Sequence, residues 1–128
     1  MPGEFPDHVR IFIEENINSV EQLEVLLLLR QDRQKQWTAD SVSQALYTPA
    51  AAAAKRLADL VARQIAVTDE SLQNYSYQPS STELGKIVDD LATVYRDRRV
   101  AVISLIYSKP SDHVKAFADA FKFRQDKG

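Results

Sequence analysis

Between Trp37 and Tyr77 two helix patterns meet at a very short joint, and a hairpin pattern follows at once. The stretch reads WTADSVSQALYTPAAAAAKRLADLVARQIAVTDESLQNYSY. Thr38 is placed to cap a helix through Val42, Ala45 and Leu46, which Tyr47 closes. Thr48 is expected to cap the next helix, with Pro49 at its first position, where the missing N–H costs nothing. In that second helix Ala53, Leu57, Leu60 and Val61 share one face. Ile65 to Thr68 and Tyr75 to Tyr77 alternate with the period of a strand, and Asp69 to Asn74 between them is rich in turn formers. The order is helix, tight turn, helix, hairpin.

That order resembles the winged helix-turn-helix superfamily of small bacterial transcriptional regulators, MarR-like and ArsR-like proteins among them. The residues that carry it are Trp37-Thr38-Ala39-Asp40, Lys55-Arg56-Leu57-Ala58-Asp59-Leu60, and Ile65 to Tyr77 in the wing. The resemblance implies a cytoplasmic DNA-binding protein of transcriptional control. Related regulators commonly dimerise through helices flanking the winged core, so it also implies a homodimer. A fold by itself does not assign a function, and the surface must be read separately.

The rest of the chain fits around this unit. Pro6-Asp7 opens a helix with Val9, Phe12, Ile13 and Ile17 on its apolar face. Ser19-x-x-Gln22 is a capping-box signature that starts a helix from Val20 to Arg30. That helix is apolar over much of its circumference, through Val20, Leu23 and Val25 to Leu29, and so is buried on more than one side. Residues 31–36 form a polar connector, and Trp37 packs where it meets the core. Ser80-x-x-Glu83 is a second capping-box signature. After it Leu84, Ile87, Val88, Leu91, Val94, Tyr95, Ala101 or Val102, Leu105 and Ile106 recur at helical spacing. This predicts one helix from Thr82 to Tyr107, about 39 Å long, although Val100 to Tyr107 also has strand propensity. Ser111 is placed to cap a final helix carrying Val114, Phe117, Ala118 and Phe121. The expected fold is mostly α with a small β-hairpin. A winged helix-turn-helix core spans residues 1–79, and a long helix plus a short final helix span residues 80–128, the whole forming one compact unit.

Composition removes several chemistries. A chain of 128 residues without cysteine holds no disulfide scaffold, Cys-ligated zinc or thiol nucleophile. The first residues lack the basic start and apolar run of a signal peptide, and the apolar run Val25 to Leu29 is far too short to span a bilayer. No HExxH, GxSxG or phosphate-binding glycine loop is present, and there are only 3 glycines. His8 and His113 fall in unrelated helices, and the side chains of Asp89 and Asp90 diverge. No enzyme activity, metal or cofactor is expected.

The candidate DNA-binding residues are Thr48, Ala51, Ala52, Lys55, Arg56 and Arg63, on a recognition helix from Pro49 to Gln64. Base readout uses Arg, Lys, Asn or Gln reaching base edges in the major groove. Here the first turns are proline and alanine, and alanine offers only contact with a thymine methyl. The same cations also fit the ordinary solvated face of an amphipathic helix. Net charge is −2, and no segment stands out as a basic footprint. Asp69 and Glu70 at the wing tip would repel phosphate, and Leu72 is exposed beside them. Tyr75 and Tyr77 read as core and cross-strand residues before base-stacking ones. The Arg96-Asp97-Arg98-Arg99 run reads as an ion-paired helix face. The candidate dimer interface is Leu91, Tyr95, Val102, Ile106, Phe117 and Phe121. Two functions are therefore open: a DNA-binding transcriptional regulator, and a winged-helix protein-interaction module docking through the Ala50–Ala54 surface.

Overall fold

A computed structural model of the chain describes residues 5–108. Its elements are α1 (Asp7–Asn16), α2 (Val20–Gln31), α3 (Ala39–Leu46), α4 (Ala50–Ala62), β1 (Ala66–Thr68), β2 (Tyr75–Tyr77), α5 (Thr82–Asp97) and α6 (Arg99–Ser108). The predicted final helix, with Phe117 and Phe121, lies outside the described residues.

Short polar side chains set the helix starts. The Ser19 hydroxyl accepts the Gln22 N–H at 3.0 Å and opens α2. The Gln22 amide does not return to Ser19. It accepts the Asn18 N–H and donates to the Asn16 carbonyl, each at 2.8 Å. A fully buried polar group thereby finds partners in the α1–α2 link. Thr38 and Ser41 form a reciprocal capping box at α3.

Two expected caps fall one residue away. Pro49, not Thr48, is the N-cap of α4, and no side chain caps that helix. The Thr48 hydroxyl donates instead to Glu21 Oε2 at 2.6 Å. Ser81, not Ser80, caps α5, accepting the Leu84 N–H at 3.1 Å. Ser80 is occupied in closing the hairpin exit, where its N–H donates to the Gln64 carbonyl at 2.9 Å.

α2 is the centre of the packing. Its Leu23, Val25, Leu26 and Leu29 are fully buried, and one core joins them to Val9 and Ile13 of α1, Leu57 and Leu60 of α4, and Leu91 of α5. Each such side chain contributes roughly 1.5–3 kcal/mol by leaving water. β1 and β2 pair antiparallel, Ala66 opposite Tyr77 and Thr68 opposite Tyr75. Trp37 adds a bridge to this hairpin, exchanging two backbone hydrogen bonds of 2.7 Å with Tyr75. The connector after α2 is therefore tied to the sheet as well as to the core.

The helix predicted over 82–107 is broken. Arg98 leaves helical geometry at φ −131°, ψ 48°, separating α5 from α6. Both pieces pack on α1, which has 10 residues and so spans only about 15 Å. Beyond the bend, Val102 and Ile106 are buried in the core. Among the described residues no helix is long and apolar enough to cross a membrane.

Candidate nucleic-acid interface

The α3–α4 turn is fixed from the α3 side. The Ser43 carbonyl receives the N–H groups of Tyr47 and Thr48. The Ser43 hydroxyl donates to the Thr48 carbonyl at 2.5 Å. Tyr47 closes α3 in the left-handed region, at φ 56°, ψ 43°, and its side chain is 96% exposed.

Glu21 of α2 holds the same turn from below. One carboxylate oxygen accepts the Thr48 hydroxyl, and the other accepts Arg56 Nε at 2.9 Å. Arg56 Nη1 also lies 3.7 Å from Asp59. These two hydrogen bonds, Thr48 first and Arg56 second, hold the Glu21 carboxyl below its ordinary pKa.

The outer face of α4 is then Ala51, Lys55, Ala58 and Ala62, all exposed. Ala52 and Arg63 lie half-buried at its margin, and Arg63 Nε is buried without a hydrogen-bond partner. Arg56, expected on the outer face, keeps only 22% of its side chain exposed and is directed to Glu21. Of the six sequence candidates, Ala51 and Lys55 stand fully in the open. Thr48 and Arg56 are held in the hydrogen-bond network beneath. The first intrahelical bond runs from the Ala53 N–H to the Pro49 carbonyl at 3.0 Å, so the N–H groups of the first turn point out of the uncapped end.

The hairpin follows α4, and β1 packs against that helix. Asp69 is built into its tip, accepting the Ser71 hydroxyl and the Asn74 amide, each at 2.6 Å. Those bonds, the Ser71 one first, lower its pKa to about 2. Leu72 stands out at φ 58° with 66% exposure. Tyr75 and Tyr77 are core residues, 9% and 7% exposed, so the wing offers no stacking platform from them. Lys35 lies 3.9 Å over the Trp37 ring and Arg33 lies 5.4 Å over Tyr77.

Four of the dimer candidates are inside the protomer. Leu91, Tyr95, Val102 and Ile106 are all buried in its core. Phe117 and Phe121 lie outside the described residues. The apolar side chains exposed in this region are Val100 and Tyr107, each 77%, and Ile11 of α1 at 44%.

The acidic residues of α5 tie it to the other helices. Asp89 receives Arg30 and Arg33, each at 2.9 Å, and Asp90 faces His8 at 2.7 Å. In the arginine-rich run, Arg96 pairs with Asp97 at 2.9 Å, while Arg99 pairs with Glu24 at 3.2 Å and lies 4.9 Å over the Tyr95 ring. Among the described residues no group of His, Asp or Glu is placed to hold a metal ion.

Sequence reasoning missed Glu21 and Tyr47. Glu21 stands in the first turn of α2, where an acid ordinarily serves only the helix dipole. Tyr47 reads as the last residue of a helix, and nothing in the periodicity marks its exposure.

No protein-family model matches this sequence, and no curated protein matches it. Solved structures do. One is MepR, a transcription regulator of the Staphylococcus aureus multidrug efflux pump MepA. It is 16% identical with a TM-score of 0.51, over 93% of this chain and 85% of that chain. Another is a point variant of S. aureus MepR bound to an oligodeoxyribonucleotide, 15% identical with the same TM-score and coverage. At this identity the likeness establishes the fold. The chain has a winged-helix fold, with α3 and α4 joined by the short turn and β1–β2 as the hairpin wing.

Proposed function

We propose that this chain is a transcription regulator that binds duplex DNA as a homodimer, with α4 entering the major groove. The observation that carries the reading is the one-sided burial of the helix-turn-helix. Glu21 and the core hold α4 from beneath, while its outer face and uncapped N-terminus stay open. A helix edged with alanine approaches base edges closely, and its methyl groups suit thymine methyls. Lys55 supplies the exposed positive charge, and Arg63 lies at the margin toward the hairpin. The likeness to MepR, one structure of which holds an oligodeoxyribonucleotide, supports the same assignment. Asp69 and Glu70 keep the wing tip away from phosphate.

The test is fluorescence anisotropy of mixed genomic duplexes across a salt series. Two cations per protomer, Lys55 and Arg63, give a dimer a log–log salt slope of about −4 at most. Lys55→Ala makes that slope shallower by about 0.9 for each protomer. Absence of binding even at low salt refutes the proposal.

A further inference from the structure

Tyr47 combines three properties that folding does not require together. It is a bulky residue at φ 56°, a region favoured by glycine. Its side chain is 96% exposed, more than any other large hydrophobic residue among those described. Its backbone is nevertheless held in place, because its N–H and that of Thr48 both donate to Ser43 and the Thr48 hydroxyl is tied to Glu21. A helix end in this conformation is served best by glycine. The tyrosine ring returns no burial for the conformation it imposes.

We infer that Tyr47 is a contact to the sugar–phosphate backbone of duplex DNA, made from the helix-turn-helix turn beside the open face of α4. The inference rests on the DNA-binding reading above and extends it to an uncharged residue. The phenol hydroxyl donates to a phosphate oxygen, and the ring lies against the deoxyribose. Neutral hydrogen-bonding side chains, tyrosine among them, commonly fix a protein's register on a duplex in this way. The contact adds hold without adding charge, which suits an interface whose exposed recognition-helix cation is Lys55. Because the turn is fixed before binding, little ordering of the backbone opposes the contact.

The experiment compares Tyr47→Gly, Tyr47→Phe and the unsubstituted chain by thermal unfolding and by anisotropy across a salt series. Tyr47→Gly is expected to raise the melting temperature, since glycine relieves the left-handed conformation. It is expected at the same time to weaken DNA binding about tenfold for each protomer, the worth of one hydrogen bond to a charged oxygen, and so about a hundredfold for the dimer. The salt slope stays that of the unsubstituted chain, because no cation is lost. Tyr47→Phe keeps the backbone and the ring, and shares most of the loss. Tyr47→Gly with unchanged affinity overturns the inference. So does a loss of affinity accompanied by a lower melting temperature, which would assign the residue to the fold. If the unsubstituted chain binds no duplex, the regulator reading itself fails, and that is seen before any substitution is compared.

Discussion

Removing the Glu21 carboxylate should loosen the helix-turn-helix without emptying the core. In Glu21→Ala the Thr48 hydroxyl loses its acceptor and Arg56 keeps only Asp59, at 3.7 Å. Two opposite charges about 4 Å apart attract by about 1 kcal/mol in water and about 4 kcal/mol near a protein surface. Glu21 and Arg56 keep 33% and 22% of their side chains exposed, so the pair lies between these limits, and part of the attraction is offset by lost hydration. With the Thr48 bond included, a net loss of about 2 kcal/mol is expected. In a domain of this size that lowers the melting temperature by about 7 °C. The sign of the pH dependence follows from the lowered pKa. Glu21 titrates lower folded than unfolded, so its contribution is complete above its ordinary value of 4.5. The contribution disappears as pH falls through the folded value. Circular-dichroism melts at neutral pH should separate the two proteins clearly, and melts in strong acid should bring them together. Equal melting temperatures at neutral pH would refute the clamp. A gap of the same size in acid would show that packing, not charge, was lost.

Leu57 is fully buried on the inner face of α4, so Leu57→Ala should cost roughly 2–5 kcal/mol in urea unfolding. Leu57→Asp should abolish the folded state, and a cooperative melt from that variant would disprove the helix register. The Asp69 carboxyl, with its pKa at about 2, should hold the wing tip unchanged through the range where aspartates ordinarily protonate. Its carboxyl carbon shift should move in an NMR titration only as pH approaches that value. A midpoint near an aspartate's ordinary value of 3.8 would mean that the bonds to Ser71 and Asn74 are absent in solution.

The fold was legible where local chemistry and burial agree. Thr38 caps α3 as its position marks, and the inner face of α4 is the one its apolar spacing marks. Strand alternation placed the hairpin because Tyr75 and Tyr77 are buried on one face. Legibility failed where a side chain has two partners to choose between. Thr48 is an ordinary cap by its position before proline, yet the helix starts one residue later and the Thr48 hydroxyl donates to a carboxylate from α2. Ser80 carries the capping-box glutamate three residues on, yet its N–H is drawn to the Gln64 carbonyl and Ser81 caps the helix. The break at Arg98 leaves the apolar spacing on either side at helical period, so the periodicity does not contain it. In the candidate interface, spacing placed Lys55 and Arg56 side by side near the outer face. It carried no information on Glu21, which draws one of them inward.

On the proposed DNA-binding reading, the withdrawal of Arg56 bears on how the protein would hold a duplex. A winged protomer whose α4 presents Lys55, with Arg63 at the margin, neutralises few phosphates, and a small phosphate count gives weak binding at physiological salt. Two protomers on one duplex double the count and make the second contact intramolecular, at an effective concentration of order millimolar. Affinity should therefore track dimerisation. The exposed apolar side chains of α6, Val100 and Tyr107, are the ones this reading assigns to the dimer contact. Val100→Glu with Tyr107→Glu should convert a dimer to a monomer in light scattering at micromolar concentration. Both positions lie outside the core, so the thermal melt should change little. The same variant should bind DNA at least tenfold more weakly, with about half the salt slope. A monomeric mass for the unsubstituted chain would sink the coupling outright. A monomeric variant that binds as tightly as its parent would show that one protomer suffices and that the phosphate count is too low.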